Sequence, residues 1–137
     1  MGAYVSIPTW WQQLDSRYRL VVGQCPDCEA FNFPPEGACA TCASVAAFER
    51  IEPEGTGTIV AHTVIEGGAP PEFEALLEAE DAIGAVLVEL DEGVRVPGML
   101  TDCDPHEFAR GDRVEAVVRK MFEQEGIVRY GAKFRPV

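Results

Sequence analysis

Four of the five cysteines have a spacing that could hold a metal ion. Cys25 and Cys28 form one C-x2-C pair, and Cys39 and Cys42 form a second pair after ten intervening residues. A two-residue spacing lets both thiolates of a knuckle face one ion, and two knuckles complete a tetrahedron. Because four thiolates leave no open coordination position, the pattern predicts a structural Zn²⁺ rather than a catalytic one.

Three other uses of these cysteines make different demands. Disulfides are typical of exported proteins, and nothing in the sequence indicates export. A redox dithiol needs one C-x2-C pair, not two close together. Iron in a rubredoxin-like site uses the same four ligands, so zinc is favoured by spacing and ligand type while iron remains open.

The other reactive side chains are Cys103, His62 and His106. Cys103 stands between Asp102 and Asp104, whose charges oppose thiolate formation, so we expect an inert, partly buried thiol. His62 falls in an alternating strand pattern and His106 in a turn, and neither has a partner nearby in the sequence. No nucleophile paired with a base is evident, so we expect the chain not to be an enzyme on its own.

The charge is strongly acidic and unevenly distributed. The chain has 137 residues with 23 acidic and 11 basic side chains, a formal charge of −12. This balance argues against general binding to phosphate backbones. Seven of the basic residues fall within 106–137, which is either a solvated face paired with the acidic middle or a local anion site. Without a bilayer-length apolar run or a secretory signal, we expect a cytoplasmic location and no membrane contact.

Short elements separated by turns must position the cysteines. We predict an N-terminal helical segment over 1–17, a zinc ribbon over 18–48 and a barrel over 49–137. In the first segment, Trp10, Trp11 and Leu14 share part of one helix face. That apolar surface either covers the core or docks on another chain, and both uses remain open.

The remaining segments indicate a mainly β fold. The stretch 58–65 alternates and is β-branched, and 83–90 is rich in Val and Leu, so both predict strands. We expect 94–100 to pair with 83–90 in one hairpin, and 113–122 to pair with 126–134 in a second. Residues 71–81 form a short acidic helix or loop between the first two strands, and Pro97 indicates an edge or a bulge. Five strands with one inserted helical segment suit an OB-fold barrel.

The ordered set of motifs resembles a known family over roughly residues 8–137. The stretches that carry the resemblance are 24–28 (QCPDC), 33–35 (FPP), 39–42 (CATC), 55–60 (GTGTIV), 86–95 (VLVELDEGVR) and 133–136 (KFRP). They look like the acyl-CoA-associated family that joins a rubredoxin-like zinc ribbon to an OB-fold, formerly a domain of unknown function. The family often has glycine after the first knuckle, where this chain has Glu29.

The resemblance implies a small accessory subunit of a thiolase-superfamily enzyme, as in acetoacetyl-CoA or benzoylsuccinyl-CoA thiolase systems. Such a subunit is non-catalytic, helps to shape or close the acyl-CoA site and scaffolds the hetero-oligomer. CoA or acyl-CoA would be shared with the partner, and Trp10, Trp11 and Leu14 would dock on it. The basic residues expected to face the CoA phosphates are Arg119, Lys120, Arg129, Lys133 and Arg135.

The alternative is an OB-fold protein that binds single-stranded nucleic acid, with Phe122, Tyr130 and Phe134 as stacking platforms. The formal charge of −12 speaks against it.

Overall fold

A small antiparallel sheet carries the cysteine knuckles. The structure, a computed structural model, describes residues 19–124 and 126–137, without the side chain of Gln124. The predicted N-terminal helix with Trp10, Trp11 and Leu14 lies outside the described residues. The ribbon sheet consists of β1 (Val22–Gln24), β2 (Phe31–Asn32) and β3 (Glu49–Ile51), in the order β2-β1-β3.

The pairing of β3 with β1 joins residues 49–51 to the ribbon sheet. These are the first residues of the segment predicted to form the barrel, and the three domain limits themselves stay predictions. Gly23 lies in the middle of β1, where an added Cβ would approach Phe48 Cβ to 2.7 Å. The aromatic side chain therefore packs directly on the glycine, which holds the chain after the second knuckle against the sheet.

A five-stranded antiparallel sheet forms the second part of the fold. Its strands are β4 (Thr56–Ile65), β5 (Ile83–Leu90), β6 (Arg95–Met99), β7 (Arg113–Gln124) and β8 (Ile127–Pro136), in the order β6-β5-β4-β7-β8. A bridge between Leu100 and Phe134 brings the two edges together, and Thr101 N donates to Phe134 O at 2.8 Å. The sheet is thus a nearly closed barrel, and the predicted mainly β fold of ribbon plus OB-fold is confirmed.

Pro97 lies on β6, opposite Leu87 of β5. Because β6 is the edge strand of the sheet order, a residue without an N–H is tolerated there, as the sequence predicted.

The barrel core follows from the alternation of its strands. In β5 the burial alternates over most of the strand, so Val86, Val88 and Leu90 point inward. Phe134 is fully buried and is the largest such side chain among residues 19–124 and 126–137. A ring with no exposed face has no surface for a base, so the interpretation of Phe134 as a stacking platform is wrong.

The insert between β4 and β5 is helical. A 3₁₀ turn (Pro71–Phe73) leads into α1 (Glu74–Glu80), which ends at Asp81 with φ of 63°. Phe73 packs edge-on against Phe122 of β7, with ring centroids 5.2 Å apart. The insert therefore lies over the outside of the barrel. No helix within 19–124 and 126–137 is both long and apolar enough to span a bilayer.

Candidate metal centre and docking surface

The structure brings the four predicted cysteine ligands together beside the ribbon sheet. Their sulfur atoms all lie within 4.8 Å of one another. The Sγ atoms of Cys25 and Cys42 are 3.6 Å apart, as are those of Cys28 and Cys39. A disulfide needs about 2.05 Å, whereas two sulfurs each about 2.3 Å from a tetrahedral zinc lie about 3.8 Å apart. The arrangement therefore fits a metal ion bound by four thiolates and does not fit disulfides.

The two knuckles repeat one backbone geometry. Cys25 N donates to the carbonyl of the fifth residue after it, and its own carbonyl accepts from the fourth, both at 2.9 Å. Cys39 makes the same two bonds, also at 2.9 Å. The residue directly after each knuckle, Glu29 or Ala43, has φ of 62° or 60°. This left-handed region favours glycine, which accounts for the glycine that the family often has at the first of these positions.

Asn32 is a supporting residue that the sequence analysis missed. Its side chain is 9% exposed, accepts from Ala40 N at 2.9 Å and donates to Cys39 Sγ at 3.5 Å. The backbone N–H groups of Cys42 and Thr41 lower the pKa of the Cys39 thiol to about 6, and Asn32 contributes to this. Asn32 thus links the second knuckle to β2 and favours the thiolate that a metal needs.

Replacing Asn32 with leucine should weaken zinc binding by about 10–100-fold, the usual effect of losing an outer-shell hydrogen bond. The measurement is a competition titration of the protein against a chelator. Gln24→Leu is the matched control, because the Gln24 amide donates to Glu29 O and not to a sulfur. Equal zinc affinities of the two variants would contradict a role for the Asn32 amide.

Two of the five basic residues predicted to face CoA, Arg119 and Arg135, form ion pairs within the chain at hydrogen-bond distance. Arg119 Nη2 lies 2.7 Å from Asp102 Oδ2, and this bond lowers the pKa of the Asp102 carboxyl. Arg135 Nε lies 2.8 Å from Glu115 Oε1 across the β7–β8 pair. A phosphate at either guanidinium would have to compete with a carboxylate.

The other three occupy different surroundings. Lys120 Nζ lies 3.8 Å from Glu123 Oε2 on the surface. Lys133 is only 2% exposed, and Arg129 lies opposite Phe122 in the register. Alternation along β8 puts Arg129, Lys133 and Arg135 on one face of the strand, but burial separates Lys133 from solvent. The binding of CoA by the five basic residues stays a prediction.

The reactive residues outside the cluster are engaged or shielded. His62 Nε2 is 2.9 Å from Pro105 O, and His106 Nε2 is 3.1 Å from Glu66 Oε1. Burial raises the pKa of the Cys103 thiol, and the charge of Asp102 raises it further. The His62 bond joins β4 to the turn at Pro105, and the His106 contact joins that turn to the loop at Glu66. Both side chains thus have structural contacts.

The far end of the β7–β8 hairpin exposes apolar side chains. Val118, Val128 and Tyr130 are 48%, 37% and 47% exposed, and we name them the hairpin patch. β7 pairs with β4 only over Arg113–Glu115, so the rest of the hairpin extends beyond the sheet. Alternation places the patch on the face that packs into the core nearer the base of the hairpin. An apolar face thus continues from the core into solvent.

Comparison with known proteins agrees with this architecture. Residues 13–49 match a family model described as the ChsH2 rubredoxin-like zinc ribbon domain, and residues 51–119 match the ChsH2 C-terminal OB-fold domain. A solved structure named Ltp2-ChsH2(DUF35) aldolase is similar with a TM-score of 0.68 and 25% identity, covering 98% of both chains.

Relatives of similar length carry a common description. A DUF35 domain-containing scaffold protein of Methanocaldococcus jannaschii is 34% identical over 93% of this chain and 88% of its own length. One of Pyrococcus furiosus is 32% identical over 100% of this chain and 97% of its own.

A longer relative has a different description. This probable enoyl-CoA hydratase alpha subunit of Thermomonospora curvata is 28% identical over 74% of this chain but only 30% of its own length. The chain therefore belongs to the ChsH2-type, or DUF35, family of rubredoxin-like zinc ribbons joined to an OB-fold.

Proposed function

We propose that this chain is a non-catalytic scaffold subunit that docks on a thiolase-superfamily enzyme and helps to shape its acyl-CoA site. The names of its relatives support a scaffold, and the similar solved structure is named as an aldolase. The relative named as a hydratase subunit connects a similar segment with acyl-CoA chemistry. The structural bonds of His62 and His106 and the raised pKa of Cys103 agree with chemistry that resides in the partner.

The hairpin patch is the observation that carries the docking proposal. Its side chains leave apolar surface in water at the end of a hairpin with no neighbouring strand. Tyrosine is enriched in protein interfaces because its ring supplies contact area while its hydroxyl tolerates water. Tyr130 is therefore the expected anchor. The docking helix predicted around Trp10, Trp11 and Leu14 would be a further contact with the partner.

The role of the basic residues in CoA binding belongs to this proposal. Arg119 and Arg135 already pair with carboxylates, which orient their guanidinium groups on the outer face of the hairpin. In the complex, CoA phosphates would lie near this face. They would either displace the carboxylates from the two guanidinium groups or bind these groups together with the carboxylates. Direct contact with CoA is thus a property of the assembled complex rather than of the free chain.

Coexpression with a thiolase-superfamily protein encoded beside this chain tests the proposal. We expect a stable hetero-oligomer by gel filtration, and Tyr130→Asp should weaken association by at least about 30-fold, as for an interface hot spot. Val137→Asp is the matched control, since Val137 is 76% exposed at the opposite end of β8. CoA affinity of the complex should fall when Arg135 is reversed to Glu.

Two results would contradict the proposal. One is absence of association between the purified wild-type proteins, and the other is thioester turnover by the isolated chain. Equal association of the Tyr130→Asp and Val137→Asp variants would instead remove the hairpin patch from the interface.

A further inference from the structure

A cavity of about 440 Å³ lies between the helical insert and the outside of the β7–β8 hairpin. Its volume falls in the range of about 300–1,000 Å³ in which small-molecule sites occur. On one side it is lined by Leu76 and Ala79 of α1, and on the other by Met121 and Phe122 of β7. Apolar side chains from two separate elements therefore form part of the cavity wall, and polar or charged side chains form the rest.

Lys133 brings an ammonium group to this cavity. It is one of the lining residues, although its side chain is only 2% exposed. Its neighbour Phe134 points into the barrel core, so alternation turns Lys133 to the outer face that the insert covers. Among the residues that the structure describes, its ammonium has no hydrogen-bond acceptor or ion-pair partner.

The carboxylates that could have neutralised Lys133 are engaged or farther away. Asp102 is held by Arg119 at 2.7 Å and also accepts from Thr101 Oγ1 at 3.2 Å. Glu80 acts on Lys133 only through its charge. Burial lowers the pKa of the Lys133 ammonium, a sign that the protein alone solvates it poorly. A cation on a side chain with little access to water and without an acceptor is poorly stabilised, so an anion that enters the cavity gains a charge-assisted hydrogen bond.

We propose that this cavity binds a small monocarboxylic acid with an apolar tail, whose carboxylate pairs with Lys133. The apolar part of the wall suits a short hydrocarbon tail, and the ammonium at the hairpin suits one carboxylate. The other charged groups that line the cavity are four carboxylates and two cations: Glu72, Glu80, Asp102, Glu123, Arg119 and Lys120. With Lys133 included, the carboxylates still outnumber the cations by one, which disfavours a phosphate dianion or a CoA phosphate inside the cavity. The chemistry of the walls thus selects a single negative charge.

This inference goes beyond the scaffold function and does not depend on it. Every residue of the site belongs to this chain, so binding is expected for the purified protein without any partner. A failure of partner docking would leave the site intact, and a failure of ligand binding would leave docking intact.

Isothermal titration of the full chain with octanoate tests the site, with 1-octanol, inorganic phosphate and CoA as comparison ligands. We expect octanoate to bind at least about tenfold more tightly than each of the other three, as expected for a hydrogen bond between charged groups. Lys133→Met should remove this preference over octanol. Arg95→Met is the matched control, because it deletes a positive charge on β6 that pairs with Glu89 away from the cavity.

A second variant keeps the test decisive if Lys133→Met fails to fold. Leu76→Trp fills the cavity from the partly exposed side of α1, and we expect it to abolish octanoate binding. Binding of octanoate and octanol with equal affinity, or octanoate binding that survives Lys133→Met, would overturn the proposal. So would tighter binding of phosphate or CoA than of octanoate, or no octanoate binding at millimolar concentration.

Discussion

Removing the metal should unfold the ribbon, the largest effect that we expect from any single change. Replacing Cys39 with serine should lower the metal content from one zinc per chain and abolish protection of the ribbon amides in hydrogen exchange. The physical reason is that β1, β2 and β3 have only three, two and three residues. Strands this short do not hold a sheet together by themselves. A structural zinc in such a site contributes about 10–16 kcal/mol of apparent binding free energy near neutral pH.

Cys103→Ser is the control for the metal prediction, because Cys103 lies outside the four-sulfur cluster. It should leave metal content and ribbon protection unchanged. Full protection of the ribbon amides in metal-free Cys39→Ser protein would contradict the prediction. The same metal analysis decides between zinc and iron, which share the four thiolate ligands.

Truncating Phe134 to alanine should destabilise the barrel by about 3–5 kcal/mol, the cost of a large cavity in a packed core. Phe134 is fully buried and its carbonyl accepts from Thr101 N at 2.8 Å, where the barrel closes. Its ring lies against Gly98, where an added Cβ would come within 2.6 Å of Phe134 Cε2. The ring therefore packs between the two strands that close the barrel, and urea denaturation should show the loss.

Tyr130→Ala on the same strand is the matched control for Phe134→Ala. Tyr130 is 47% exposed, so its truncation should cost less than about 1 kcal/mol in the free chain. If both variants unfolded at the same urea concentration, Phe134 would not be the residue that holds the closure.

Much of the barrel could be predicted because its signals are local. The stretch over 83–90 is rich in Val and Leu and ends at a turn signal, and β5 occupies those residues. The strand predicted over 58–65 begins two residues earlier, because Thr56 and Gly57 pair with Glu115 and Val114. The strand predicted over 113–122 continues to Gln124 through a bulge between Lys120 and Phe122. Where a strand ends depends on the strands that pair with it, and the sequence of a single segment does not contain that information.

The candidate metal site also contains residues that local sequence predicts and a residue that it does not. Ligand type and spacing were sufficient to predict which cysteines come together, since a C-x2-C knuckle is a local structure. Asn32 was missed because its hydrogen bonds to Cys39 Sγ and Ala40 N cross between β2 and the second knuckle. Nothing in an isolated Phe-Asn-Phe stretch indicates that contact.

The sequence by itself determined the knuckles, the period-two strands, the acidic insert and the family, because each depends on neighbouring residues or on their order. Only the tertiary structure decided that Lys133 is buried while Tyr130 is exposed, although both carry polar groups on one strand. The insert covers one face of the hairpin, and the hairpin itself extends past the barrel. Burial depends on packing between segments distant in sequence, and therefore only the fold separates the cavity from the exposed hairpin patch.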